Sequence, residues 1–202
     1  MSSINIQQKT DCQLIKGGAR PSTQQLDPKG TFHVVHMRDG SVLLEEDVPN
    51  GIVDEGKDHL LGAVFDNETS WATWYCGLID LTGYTALDAT DTYDDIDQAG
   101  NGWDEYPSYT DGNNGDSAVT RPEWQTDAPS GESITNSTTS VYDITVNGTV
   151  KGLFIVGGTG GAVNKSDHAA VNNILWSTAL FGSGDVAVLN GDQLKITYTI
   201  SA

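Results

Sequence analysis

The sequence has few basic residues, and they are scattered along the chain. Ten Lys and Arg stand against 28 Asp and Glu, which gives a net charge of −18. Nucleic acids attract clusters of Lys and Arg that release counterions from the phosphates, and anionic membrane surfaces attract the same residues. The charge therefore argues against nucleic acid and membranes as partners, although acidity also serves solubility alone.

Cysteine and long apolar runs are also scarce. Only Cys12 and Cys76 are present; Cys76 falls in the apolar run 71–80 and is predicted to be a small core residue. No spacing pattern predicts a disulfide between them. The first nine residues lack the charged and apolar regions of a signal peptide, and no apolar stretch approaches the roughly 20 residues of a membrane span. We expect the chain to be cytosolic when it is made.

The first 28 residues differ in composition from the rest of the chain. They are polar, rich in Gln and interrupted by Gly17-Gly18, and we predict that residues 1–28 form an extended N-terminal arm. The 202-residue length suits one domain, which we place at residues 29–202. The few apolar residues of the arm are the candidate partner contacts: Ile4, Ile6, Leu14 and Ile15.

Glycine, which is frequent at 23 residues, and the many Thr, Ser, Asn and Asp indicate short strands joined by turns. About eight strands are predicted: 31–37, 41–45, 71–80, 141–146, 150–156, 173–181, 186–189 and 194–200. The pattern of 173–181 is also compatible with a helix. Turns of the hairpin type are predicted at Asp39-Gly40 and Asn147-Gly148. In 194–200 apolar and polar residues alternate strictly, which sends one set to the core.

One short helix is predicted over residues 51–65, with Asp54 and Glu55 in its first turn, where the helix dipole favours acids. Its apolar positions recur at helical spacing: Ile52, Val53, Leu60, Leu61 and Val64. The predicted fold class is all-β with this one helix: an antiparallel, jelly-roll-like β-sandwich with long acidic loops after residue 80. A β-barrel is the alternative.

Two acidic segments, 88–97 and 111–116, offer the oxygen ligands that calcium prefers. Neither has the glycine and terminal glutamate of an EF-hand, so solvated loops are the favoured interpretation and no metal or other cofactor is predicted. The glycine cluster 157–161 is predicted to be a flexible turn, because Asn164 and Thr159 stand where a phosphate-binding loop ending at Lys165 needs glycine. His33 and His36 are predicted to point to opposite faces of one strand.

The aromatic residues of the loops have two interpretations. Exposed rings stack on sugars, and Trp103, Tyr106 and Trp124 are the candidates for such glycan contacts. The favoured interpretation is that these rings anchor the loops to the β scaffold, since tryptophan usually buries most of its area. No arrangement typical of a nucleophile, an acid–base pair or a hydrolase elbow is found, so no catalytic residue is predicted and an enzyme is not expected.

The chain resembles a family of small structural proteins of tailed bacteriophages over roughly residues 31–202. The order of the matching pieces carries the resemblance: 73–80 (TWYCGLID), 83–92 (GYTALDATDT), 102–106 (GWDEY), 120–124 (TRPEW), 133–137 (SITNS), 148–154 (GTVKGLF), 175–181 (LWSTALF) and 191–199 (GDQLKITYT). The chain departs from the family pattern at 93–101 and 108–118, where its loops look longer.

The resemblance implies a virion component, most plausibly a decoration (cement) protein on the capsid exterior. Its expected partner is the major capsid protein, and its expected form is a homo-oligomer, often a trimer. The alternative is an adsorption or carbohydrate-binding module on the tail or capsid. In the first case we expect the arm to order on the shell, by adding a strand to an exposed sheet edge.

Overall fold

A computed structural model describes residues 28–96, 102–165 and 172–202. The described residues contain ten strands: β1 Lys29–Arg38, β2 Ser41–Ile52, β3 Trp74–Asp80, β4 Tyr109–Asp111, β5 Ser133–Thr135, β6 Ser140–Ile144, β7 Gly148–Gly158, β8 Asn173–Leu180, β9 Val186–Val188 and β10 Gln193–Ser201. Helix α1 spans Asp54–Phe65, and α2 is a single turn over Gly160–Val163. The all-β class, the predicted helix and the strand assignment of 173–181 are confirmed.

All ten strands belong to one curled antiparallel sheet in the order β3-β7-β8-β2-β1-β10-β6-β4, with β5 beside β10 and β9 beside β7. The jelly-roll sandwich is not confirmed, because the pairing does not divide the strands into two sheets. The segment 103–124 joins the two ends of the strand order. The Tyr106 and Trp124 amides donate to β3 carbonyls, each at 2.8 Å, and the same segment supplies β4. The arrangement is thus closer to the barrel alternative.

The two predicted hairpin turns differ in outcome. At Asp39-Gly40 the prediction is confirmed: both residues have positive φ, 50° and 76°, and β1 pairs with β2. The hairpin prediction at Asn147-Gly148 is wrong, because β6 pairs with β10 and β4, whereas β7 pairs with β3, β8 and β9. The corner between β9 and β10 lies between β6 and β7 and occupies their edges. One such contact is the 2.8 Å bond from the Gly191 amide to the Ile144 carbonyl at the end of β6.

The main core fills the inside of the curled sheet. In β10 the side chains of Leu194, Ile196 and Tyr198 are buried, and they alternate with half-buried polar residues, as predicted. Cys76 is buried in this core with a free thiol, which confirms its predicted role. Burial raises the pKa of the Cys76 thiol to about 12, so the thiol is protonated and unreactive at neutral pH.

A second core lies on the outer face of β3, β7 and β8. Phe154 and Val156 of β7 point outward and are buried under Tyr84, Tyr93 and Trp103, which come from the acidic loops between β3 and β4. Because β7 is buried on both faces, its sequence is almost continuously apolar instead of alternating. The prediction that the acidic region forms loops laid over a β scaffold is confirmed for its described residues.

Two buried ionic clusters fasten the loops and corners. The Arg121 guanidinium is bonded to the Glu105 carboxylate, and both side chains are fully buried. In the second cluster, Asp192 accepts hydrogen bonds from Arg38 and His36 of β1. His36 is buried and His33 faces outward beside Asp47, so the prediction of opposite faces is confirmed.

Candidate functional site

The three aromatic residues predicted as glycan contacts lie in the core. Trp103, Tyr106 and Trp124 are 3%, 4% and 6% exposed. The indole of Trp103 packs edge-on against Phe154, 5.2 Å between ring centroids, and Trp124 Nε1 donates to the Tyr198 carbonyl at 3.0 Å. The interpretation that these rings anchor loops is confirmed, and the glycan interpretation fails for them because a stacking platform needs an exposed ring face.

The predicted arm contacts Ile4, Ile6, Leu14 and Ile15, together with Cys12, lie outside the described residues. The structure therefore leaves the role of the arm as a prediction. The described chain starts at Pro28, and β1 begins one residue later with Lys29 paired to Gly51 and Ser201. Whatever the arm contacts, it leaves the domain at this end of the curled sheet.

The carboxylates of the acidic segment act as caps for its own turns. Asp88 accepts from the Thr90 amide at 2.9 Å, and Asp95 and Thr92 form a capping box around the 3-10 turn Tyr93–Asp95. Glu55 reaches from α1 and accepts from the Tyr93 amide at 2.8 Å. Within the described ranges no group of three His, Cys, Asp or Glu side chains is placed to hold a metal ion.

Asp91 is the carboxylate in this segment that costs stability at neutral pH. Burial, with Asp88 and Asp95 close by, raises the pKa of Asp91 to about 6. Its Oδ2 is buried without a hydrogen-bond partner among the described residues. A folded pKa above the unfolded value of about 3.9 means that stability is gained as the pH falls through about 6.

We expect Asp91→Asn to stabilise the protein at pH 7.5 by on the order of 1 kcal/mol, reduced from the full shift because the carboxylate is partly screened by water. The gain should fall to about a third near pH 4.5 and be nearly gone below about pH 3.5, because the unfolded carboxyl, with a pKa of about 3.9, stays ionised until the pH falls below that value. Urea unfolding at pH 7.5 and pH 4.5 measures it. A loss of stability of equal size at both values would contradict this assignment.

The glycine cluster does not form a phosphate site. Gly157 and Gly158 end β7, and the rest of the cluster starts the helical turn α2 instead of a flexible turn, which corrects the prediction. Lys165 is buried, and its ammonium group donates to the carbonyl oxygens of Pro107 and Tyr109. The side chain that a phosphate loop would offer to its ligand is thus used to tie two loops together.

An apolar groove of about 230 Å³ lies between α1 and the open end of the curled sheet and is here called the tryptophan groove. Four of the five tryptophans and six other residues line it: Trp71, Trp74, Trp124, Trp176, His59, Leu60, Ala63, Ser70, Ile134 and Ile200. The rings support one another, as in the edge-on contact of Trp74 with Trp176 at 5.6 Å. The Trp71 indole N–H is buried with no acceptor among the described residues.

An acidic depression, here called the acidic shelf, adjoins the groove at His59. Its volume is about 450 Å³, and it is lined by Asp54, Glu55, Asp58, Glu68, His59, Thr90, Thr92 and Ile174. The buried His59 ring joins the two surfaces: Nδ1 lies 2.8 Å from the Glu68 carboxylate, and the ring stacks on Trp71 with 6.2 Å between centroids. Groove and shelf together present an apolar trough with a negative side.

Helix α1 also exposes apolar side chains beside the groove. Leu61, Val64 and Phe65 are 52%, 62% and 79% exposed, and together they are here called the α1 patch. Apolar positions at helical spacing usually form a buried stripe, but Leu61 and Val64 are on the surface. The buried residues of the helix are Gly56 and His59. Gly56 lies so close to β8 that a Cβ at this position would be 2.6 Å from the Trp176 carbonyl oxygen. The close approach of α1 to β8 turns the larger apolar residues outward.

Sequence reasoning missed the groove because its four tryptophans come from distant parts of the chain. Trp71 and Trp74 flank the start of β3, Trp124 lies in a loop, and Trp176 lies in β8. The one available signal was the density of apolar residues in 60–65, which exceeds what one buried helical stripe requires.

No helix among the described residues is long and apolar enough to cross a membrane. Comparison with models of known protein families and with curated protein sequences finds no match for this chain.

Proposed function

We propose that the protein is a decoration protein of a bacteriophage capsid, which binds the outer surface of the shell built by the major capsid protein and stabilises it. The observation that carries the proposal is the α1 patch: three large apolar side chains exposed together, at the end of the domain where the arm leaves. Contiguous exposed apolar surface on an otherwise acidic domain is typical of a protein contact. The resemblance of the sequence to phage structural proteins supplies the kind of partner.

The rest of the domain is suited to a passive, adhesive task. Its buried ionisable side chains are engaged in structural bonds, such as Arg121 with Glu105 and Lys165 with two carbonyls. A rigid body fixed across the joints of a shell adds contact area that must be broken before the shell opens under the pressure of packed DNA. An oligomer, for example a trimer, would multiply weak contacts through avidity. The acidic surface suits a position away from the genome.

The direct test is to add the purified protein to capsids that lack decoration. Binding should saturate at a fixed ratio to the capsid protein, and it should raise the temperature at which the particles rupture. Absence of binding at micromolar protein would end the proposal.

The double variant Val64→Asp with Phe65→Asp should bind these capsids at least about tenfold more weakly, which corresponds to roughly 1.4 kcal/mol. Its stability should fall by on the order of 1 kcal/mol, because both side chains are exposed but the new carboxylates lie at the negative end of the α1 dipole. Cosedimentation over a protein concentration series measures the binding.

The matched control is Val146→Asp, a 55% exposed valine. Val146 lies two residues after Ile144, whose amide donates to the Asp192 carbonyl just before β10. The point where the described chain begins, with Lys29 paired to Ser201, lies at the other end of β10. We expect this control to bind as the wild type does. Equal loss of binding in the control and in the α1 variant would mean that general charge, and not the α1 patch, governs attachment.

A further inference from the structure

We propose that the tryptophan groove and the acidic shelf form a docking site for residues Leu14, Ile15 and Lys16 of the same chain, with the two aliphatic side chains in the groove and the basic residue over the shelf. The proposal does not depend on the proposed function, since it concerns the free protein. It assigns Leu14 and Ile15 to the groove and leaves Ile4 and Ile6 for contacts with a partner.

Charge selects this occupant. The arm, residues 1–28, contains Lys9, Lys16 and Arg20 against Asp11 and Asp27, a net charge of +1, whereas residues 29–202 carry a net charge of −19. Leu14-Ile15 is followed directly by Lys16 and then by Arg20, whereas Ile4 and Ile6 have no charged neighbour before Lys9. The pair Leu14-Ile15 thus matches an apolar trough with a negative side, and the pair Ile4 and Ile6 does not.

The size of the groove favours side chains over a cofactor. Its volume of about 230 Å³ lies below the roughly 300–1,000 Å³ of most small-molecule sites. Its walls are nearly all apolar, so a sugar would find few partners for its hydroxyl groups there.

The tether makes the same chain the favoured source. Ile200, on the groove wall, is the register partner of Gly30, so the groove lies beside the point where β1 begins. About 12 residues separate Lys16 from Lys29, and a random-coil chain of that length has a mean reach of about 20 Å. Such a linker gives an effective concentration in the millimolar range. Docking within one molecule therefore competes well against docking between molecules.

The two cysteines provide a probe without engineering. Cys12 lies two residues before Leu14, and the Cys76 thiol is buried, so a bimane dye reacts with Cys12. Bimane is quenched when it touches tryptophan, and the groove contains four. We expect quenched emission from the labelled full-length chain, and emission roughly twofold brighter or more in Leu14→Asp with Ile15→Asp, because the variant removes both aliphatic side chains from the docking segment.

A change in the groove should have the same effect as a change in the segment. Ala63→Arg places a long cationic side chain in the groove and should also brighten the dye, whereas Val146→Arg at the far end should not. Ile4→Asp with Ile6→Asp controls for any change in the arm and should leave the dye quenched. Equal emission from the wild type and the Leu14/Ile15 variant would overturn the proposal.

Dilution identifies the source of the segment. Quenching that does not change on dilution, in a monomeric sample, supports docking within one chain. Quenching that disappears on dilution, together with dimers in sedimentation, would overturn it and would place the segment in the groove of a second copy.

Discussion

Arg121→Met should be among the most damaging single substitutions in this protein, with a loss of about 3–5 kcal/mol in the free energy of unfolding. The guanidinium bonds Glu105 at 2.7–3.2 Å through Nε and Nη2, and its Nη1 donates to the Gly161 and Ala162 carbonyls, both at 2.8 Å. Without it, the fully buried Glu105 carboxylate loses the bonds to its cationic neighbour, and two carbonyls lose the hydrogen bonds that Arg121 donates. The loss is a large share of the roughly 5–15 kcal/mol that stabilises an ordinary domain.

Denaturant unfolding of two further variants separates charge from packing. Arg121→Met with Glu105→Gln removes the uncompensated charge but keeps an acceptor for the Tyr109 hydroxyl, which lies 3.2 Å from Glu105. This double variant should regain part of the lost stability. Lys57→Met breaks an exposed pair with Asp54 at 3.1 Å and should cost less than about 0.5 kcal/mol. A loss below about 1 kcal/mol for Arg121→Met would contradict the role assigned to the buried pair.

Asp192→Asn should cost about 2–3 kcal/mol, because a buried carboxylate with charged donors is lost. Asp192 accepts from Arg38 Nε at 2.7 Å and Nη2 at 2.8 Å, from His36 Nε2 at 2.7 Å and from the Leu189 amide at 2.8 Å. These bonds hold the corner between β9 and β10 against β1. An exposed carboxylate, Asp185→Asn, is the control and should change stability by less than about 0.5 kcal/mol.

The cost of Asp192→Asn should depend on pH. The hydrogen bonds from Arg38, more than any other contact, hold the pKa of Asp192 well below its usual range. A depressed folded pKa contributes stability that is fully present above the unfolded value of about 3.9 and is lost as the pH falls towards the folded value. Urea unfolding of the wild type and the variant should therefore differ most near neutral pH and progressively less below about pH 4. A difference that stays constant down to about pH 3 would contradict this account.

The local features of the fold were determined by the sequence alone. Strict alternation in 194–200 placed Leu194, Ile196 and Tyr198 in the core, since a strand has only two faces. Asp39-Gly40 set the first hairpin, because few other residue pairs accept two positive φ angles. The acidic composition of 81–96 excluded an independent core there, and Trp103, Tyr106 and Trp124 were favoured as loop anchors, in agreement with their burial.

Long-range pairing decided the rest. The Asn147-Gly148 turn has a hairpin composition, yet its flanking strands diverge because the β9–β10 corner uses their edges, and no local pattern records that competition. The apolar positions of α1 fit a buried stripe, but Gly56 brings the helix so close to Trp176 that Leu61, Val64 and Phe65 turn to the surface. The tryptophan groove needs residues 71, 74, 124 and 176 together, and only the closure of the sheet brings them to one place.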